Sequence, residues 1–90
     1  MVSQKVKITN PTGLHLRPAG LFTKTMSQFD SEIFVCKDGN EINAKSVLHV
    51  LASGINCGDV VEIRCDGPDE KEALERAVHF IESEMNEETV

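Results

Sequence analysis

Ninety residues with 40% hydrophobic and 27% charged content and a net charge of −6 describe a folded globular chain rather than a disordered or fibrous one. A globule of this size hides roughly 60–65% of the surface of its unfolded chain, so one compact domain over residues 1–90 with a modest core is expected. No apolar run approaches the roughly 18 residues of a spanning helix, and Met1 to Thr9 is alternating and polar, unlike a signal peptide, so no membrane insertion and a cytoplasmic location are expected.

Val2, Gln4, Val6 and Ile8 alternate with Ser3, Lys5 and Lys7, the period of a strand with one wet face, ending at Asn10-Pro11. From Pro18 to Phe29, Ala19, Phe22, Met26 and Phe29 recur at three- and four-residue steps and share one face of a helix. Ser31 to Lys37 is rich in β-branched and aromatic residues, and Lys37-Asp38-Gly39-Asn40 supplies the positive-φ residues of a tight hairpin before Glu41 to Asn43. Ser46 precedes Val47, Leu48, Val50 and Leu51, which predicts a short capped helix closed by Gly54. After Asn56-Cys57-Gly58-Asp59, Val61, Ile63 and Cys65 alternate with Glu62 and Arg64 in a further strand stopped by Gly67-Pro68. Asp69 with Glu72 three residues on reads as a capping box, opening a helix whose buried stripe is Ala73, Leu74, Ala77, Val78, Ile81 and Met85. The order βαββαβα with half-wet strands implies an α+β fold, an antiparallel four-stranded sheet covered on one face by three helices in an open-faced sandwich.

Charge is unevenly distributed: residues 1–45 hold six Lys/Arg against four Asp/Glu, and residues 46–90 hold three against eleven. The acidic total weighs against nucleic-acid binding, which needs clustered cations to displace counterions, and the basic first half suits a partner with an acidic docking face. Cys36, Cys57 and Cys65 form no Cys-x-x-Cys pair and lie in or beside apolar segments, so reduced structural thiols are expected. His15, His49 and His79 stand at no ligand spacing with them, and no metal site is expected. His49 and His79 read as surface residues of their helices.

The chemistry concentrates in Thr12-Gly13-Leu14-His15-Leu16-Arg17-Pro18-Ala19-Gly20, where a turn passes directly into a helix. Gly13 permits a sharp turn that presents His15 outward. The first-turn amides of Leu16 and Arg17 lack intrahelical acceptors, and with the helix dipole they favour an anion. A neutral imidazole nitrogen is a competent nucleophile for phosphorus, and a helix N-terminus disfavours the imidazolium form. Arg17 can neutralise charge developing on the equatorial oxygens of a transferring phosphoryl group. Spacing alone fits a solvated turn equally well, since a His and an Arg two residues apart make a weak motif.

Gly13-Leu14-His15-Leu16-Arg17-Pro18-Ala19 resembles the Gly-x-His-x-Arg-Pro-Ala signature of the HPr family, the phosphocarriers of the bacterial phosphoenolpyruvate-dependent sugar phosphotransferase system. The resemblance continues through Asn43-Ala44-Lys45-Ser46-Val47-Leu48, similar to the family's regulatory-serine region. It implies a carrier rather than an enzyme, holding no cofactor, that takes a phosphoryl group from enzyme I on Nδ1 of His15 and gives it to sugar-specific enzyme IIA domains. It also implies that Ser46 is phosphorylated by an HPr kinase/phosphorylase, adding about −1.5 to −2 charge beside Val47, Leu48 and Leu51. That modification is expected to weaken docking and to turn the carrier into the corepressor of a catabolite-control transcription factor. Leu16, Gly20, Val47, Leu48 and Leu51 form the expected docking surface. Leu16 and Gly20 depart from the residues common in the family, which bears on partner affinity. The regulatory-only relatives lack the histidine, whereas His15 is present here. A monomer is expected.

Overall fold

A computed structural model of the chain describes residues 1–9, 13 and 16–84. In chain order the elements are β1 (Val2–Lys7), α1 (Leu16–Met26), β2 (Glu32–Lys37), β3 (Asn40–Asn43), α2 (Val47–Ala52), β4 (Val60–Asp66) and α3 (Glu70–His79), the last running into a π turn at Phe80–Glu84. The four strands form one antiparallel sheet in the order β1-β4-β2-β3. β4, the last strand in sequence, therefore lies between β1 and β2.

Register follows from the period-2 pattern. Ile63 on β4 faces Val35 on β2, which faces Ile42 on β3, and Val61 faces Val6 on β1. Each of these side chains is buried, so the inward row is continuous from one edge towards the other. Gln4 shares its pairing row with Ile63 but is exposed, unlike Val6 on the same strand. The hairpin between β2 and β3 turns at Asp38 and Gly39, with φ of 52° and 84°, the pair of left-handed residues that a two-residue turn of matching twist requires.

Phe22 and Met26 of α1, Val50 of α2 and Ala73 and Ala77 of α3 are fully buried against the sheet. Phe80 packs its ring on Phe22 at a centroid distance of 5.5 Å and 56° between planes. Each such large apolar side chain stabilises the fold by about 1.5–3 kcal/mol. Phe80 was open to the same three-residue step from Ala77 that marks the rest of the stripe, but the sequence stripe omitted it. Met85 lies outside the described residues, as do Asn10 and Pro11.

Two element ends and one cap differ from the expectations. β1 stops at Lys7, although Ile8 remains fully buried and pairs on through its amide, which donates to the Asp59 carbonyl at 2.8 Å. α1 ends at Met26 rather than Phe29, because the chain is turned by Asp69, whose carboxylate accepts the Asp30 and Ser31 amides at 2.9 Å each. The same carboxylate is thereby taken from the helix it precedes: Asp69 occupies the N-cap of α3 without a side-chain capping bond. The capping box is overridden by a tertiary contact, and Glu70 rather than Glu72 reaches back, accepting the Gly67 amide at 3.2 Å.

Candidate functional site

Gly13 is buried with φ of +64°, and a methyl group built on it would lie 2.7 Å from the Ile55 carbonyl oxygen and 2.9 Å from the Asn56 Cα. Glycine is needed here twice, for a left-handed backbone and for a backbone that abuts another backbone. Three residues later α1 begins at Leu16. Arg17 is helical although it precedes a proline, and the buried Pro18 and Ala19 fix that first turn on the core. Pro18 has no N–H, so the Leu16, Arg17 and Ala19 amides are the donors of the positive helix end. Arg17 and Leu16 are exposed, Leu16 to 69%. His15 itself lies outside the described residues.

The second expected feature, Ser46, is the N-cap of α2: its Oγ accepts the His49 amide at 3.3 Å and its carbonyl accepts the Val50 amide at 3.0 Å. Its side chain is half-exposed. Next to it Lys45 Nζ donates to the Phe29 carbonyl at 2.6 Å, tying the start of α2 to the chain leaving α1. His49 is exposed as expected, and it also accepts the Asn43 amide on Nδ1 at 2.9 Å, fastening α2 to the end of β3. No sequence signal marked that bond, since a histidine's partner is invisible to periodicity.

α1 and α2 pack against each other. Of the apolar residues expected on this surface, Leu48 is 77% exposed, whereas Val47 and Leu51 are partly buried and pack on the core, and Gly20 is half-buried. Val47 and Leu51 therefore give most of their surface to the fold, as residues on the inner side of a two-turn helix must, and the protruding apolar groups are Leu16 and Leu48. Leu21, at 38% exposure, adds to them from α1. A methyl on Gly20 would meet nothing within 4 Å.

The loop that receives Gly13, residues 54–59, was not singled out by sequence. Lys37 Nζ at the end of β2 donates to Asp59 Oδ2 at 2.8 Å and to the Gly54 carbonyl at 3.3 Å. Asp59 Oδ2 also accepts the Asn56 amide at 2.7 Å. The Lys37 hydrogen bond, followed by that of the Asn56 amide, holds the Asp59 carboxyl below its ordinary range. Nothing local could have revealed a pair 22 residues apart.

The cysteines divide. Cys65 is buried, and burial pushes its thiol up to about 11. Cys36 is half-buried with its thiol also raised, first by burial. Cys57 is exposed, against the expectation of a buried thiol, because it sits at the outer bend of the 54–59 loop, where its Sγ lies 3.7 Å from the Thr9 carbonyl. Among the described residues no group of three or more His, Cys, Asp or Glu is placed to hold a metal ion, and no helix is long and apolar enough to cross a membrane.

A family model described as the PTS HPr component phosphorylation site matches residues 2–83. Among known proteins, the HPr-like protein Crh of Halalkalibacterium halodurans is 42% identical over 84 residues, spanning 93% of this chain and 100% of the other. The phosphocarrier protein HPr of Treponema pallidum is 38% identical over 88 residues, spanning 98% and 100%. The crystal structure of HPr from Thermoanaerobacter tengcongensis matches with a TM-score of 0.89 and 44% identity, over 92% of this chain and 93% of that one.

Proposed function

The chain belongs to the HPr family of the phosphotransferase system, phosphocarriers rather than enzymes, and on that premise we propose that His15 accepts a phosphoryl group from phosphorylated enzyme I and passes it to enzyme IIA domains for sugar uptake. The observation that carries the proposal is the bracketing of His15 in the chain by a Gly13 locked on the 54–59 loop and a helix that starts at Leu16. A histidine attached to the positive end of a helix is favoured as the neutral ring. Its Nδ1 lone pair attacks phosphorus as the bond to the donor breaks, forming a phosphoramidate. Arg17, in the first turn, supplies the permanent cation that offsets charge on the equatorial oxygens. Leu16, Leu48 and Gly20, with the outer edges of Val47 and Leu51, form the docking surface, and the protein works as a monomer in the cytoplasm. Incubation with phosphoenolpyruvate and enzyme I gives an acid-labile phosphate that His15→Ala abolishes; a wild-type chain that stays unmodified removes the proposal.

Similarity to an HPr-like protein as well as to a phosphocarrier favours a second reading, a regulatory module acting through Ser46. In that reading HPr kinase/phosphorylase modifies Ser46, and the product binds a catabolite-control transcription factor. The two roles are compatible, and His15 followed by Arg17-Pro18 supports carriage as the primary one. A kinase assay with wild-type protein and Ser46→Ala separates them.

A further inference from the structure

Between α2 and β4 the chain has no regular structure, yet it is the surface on which Gly13 rests. What holds it is side-chain chemistry at its two ends. The Lys37 ammonium bonds the Gly54 carbonyl and the Asp59 carboxylate together, Asn56 Nδ2 donates to the same Gly54 carbonyl at 2.9 Å, and the Asn56 amide closes on Asp59. The main chain then joins the loop to β1: Gly58 donates to the Ile8 carbonyl at 2.7 Å and Ile8 donates back to Asp59. A pair of ions 23% and 29% exposed would ordinarily contribute little as a surface salt bridge. Here the same two groups also satisfy a carbonyl and an amide of the loop, so they dictate its shape.

We propose that Lys37 and Asp59 are positioning residues for the proposed phosphoacceptor: by closing the 54–59 loop they fix the platform against which Gly13 is seated, two residues ahead of His15 in the chain. The proposal rests on the phosphocarrier reading of His15. The contact at Gly13 is backbone against backbone, with no clearance for even a methyl group. No rotamer change can absorb a shift of Ile55 or Asn56, so a closely packed contact passes the displacement on. In a reaction that depends on in-line approach, a displacement of the order of 1 Å is enough to slow transfer up to about a hundredfold.

The test uses the full chain as Lys37→Met, Asp59→Asn and Lys37→Arg, with phosphoenolpyruvate, enzyme I and this protein as the varied substrate. Lys37→Met keeps the aliphatic stem and removes the charge. It should lower kcat about tenfold while KM, set by the α1 and α2 surface, changes less than about twofold. Lys37→Arg, which retains a cation and its donors, should recover most of that loss. Amide spectra of the unphosphorylated variants supply a readout independent of transfer: the Gly13 and Leu16 resonances should move in Lys37→Met and Asp59→Asn and return in Lys37→Arg. Unchanged kcat with unmoved Gly13 and Leu16 resonances in folded Lys37→Met overturns the proposal, as does a loss that tracks only the unfolded fraction in urea. Failure of the wild-type chain to accept phosphate would instead defeat the phosphocarrier reading, leaving the amide shifts to decide whether the platform exists.

Discussion

Asp69 and Ser31, separated by 38 residues, are joined by three hydrogen bonds: the Asp69 carboxylate accepts the Ser31 amide at 2.9 Å and its hydroxyl at 2.5 Å, and the Asp69 amide donates to Ser31 Oγ at 3.2 Å. The backbones close to match, since a methyl on Gly67 would fall 2.6 Å from the Ser31 Cα. This clasp fixes the end of α1 against the start of α3.

The clasp makes stability pH-dependent. The Ser31 hydroxyl, with the Asp30 amide, holds the Asp69 carboxyl below its ordinary range, and Lys37 does the same to Asp59. A carboxylate with a depressed folded pKa contributes stability that is fully present above its unfolded pKa of about 3.9 and is lost as pH falls through the folded value. Urea midpoints measured from pH 7 to pH 2 should therefore fall below about pH 4. Asp69→Asn should be less stable at pH 7 and flatter across that interval; an equally steep profile would show that other groups carry the dependence.

Gly13→Ala should be costly despite its small size. A left-handed conformation costs a non-glycine residue about 1–2 kcal/mol, and the added methyl meets the Ile55 carbonyl and the Asn56 Cα at distances real contacts do not reach. Thermal or urea unfolding should show at least that loss, with phosphoryl acceptance reduced in the fraction that stays folded.

Gly20→Ala should act in the opposite direction. The position is helical, its φ is not left-handed, and the new methyl has open space around it. Removing backbone freedom from the unfolded chain should stabilise the protein by about 0.5–1 kcal/mol in urea titration. Because Gly20 belongs to the proposed docking surface, transfer kinetics should change through KM rather than kcat.

Ser46→Asp should leave the fold intact, since aspartate caps a helix about as well as serine, while placing charge next to the exposed Leu48. KM for phosphoryl acceptance from enzyme I should rise without a change in the melting temperature. Leu48→Ala should raise KM as well, with little effect on stability, because its side chain is already in solvent.

Much of this molecule was legible in short stretches of the chain. The alternation of Val61, Ile63 and Cys65, the Asp38-Gly39 turn, the Ser46 cap and the order βαββαβα all express preferences that act within a few residues. The segment that carries the phosphocarrier proposal is local in the same way, since His15 stands directly ahead of Leu16-Arg17-Pro18 in the chain.

Tertiary structure alone decided the rest, because those features depend on groups that meet only after the chain has closed. It placed β4 between β1 and β2, took Asp69 away from its own helix, buried most of Val47 and Leu51 while leaving Leu48 and Cys57 in water, joined Lys37 to Asp59, and set Gly13 against Ile55 and Asn56. Local propensity is worth tenths of a kcal/mol to about 1 kcal/mol per residue, and a hydrogen-bonded contact between distant residues can outweigh it. Neighbouring residues in the chain determine the local elements, whereas the contact of Gly13 with Ile55 and Asn56 exists only because two distant segments pack together.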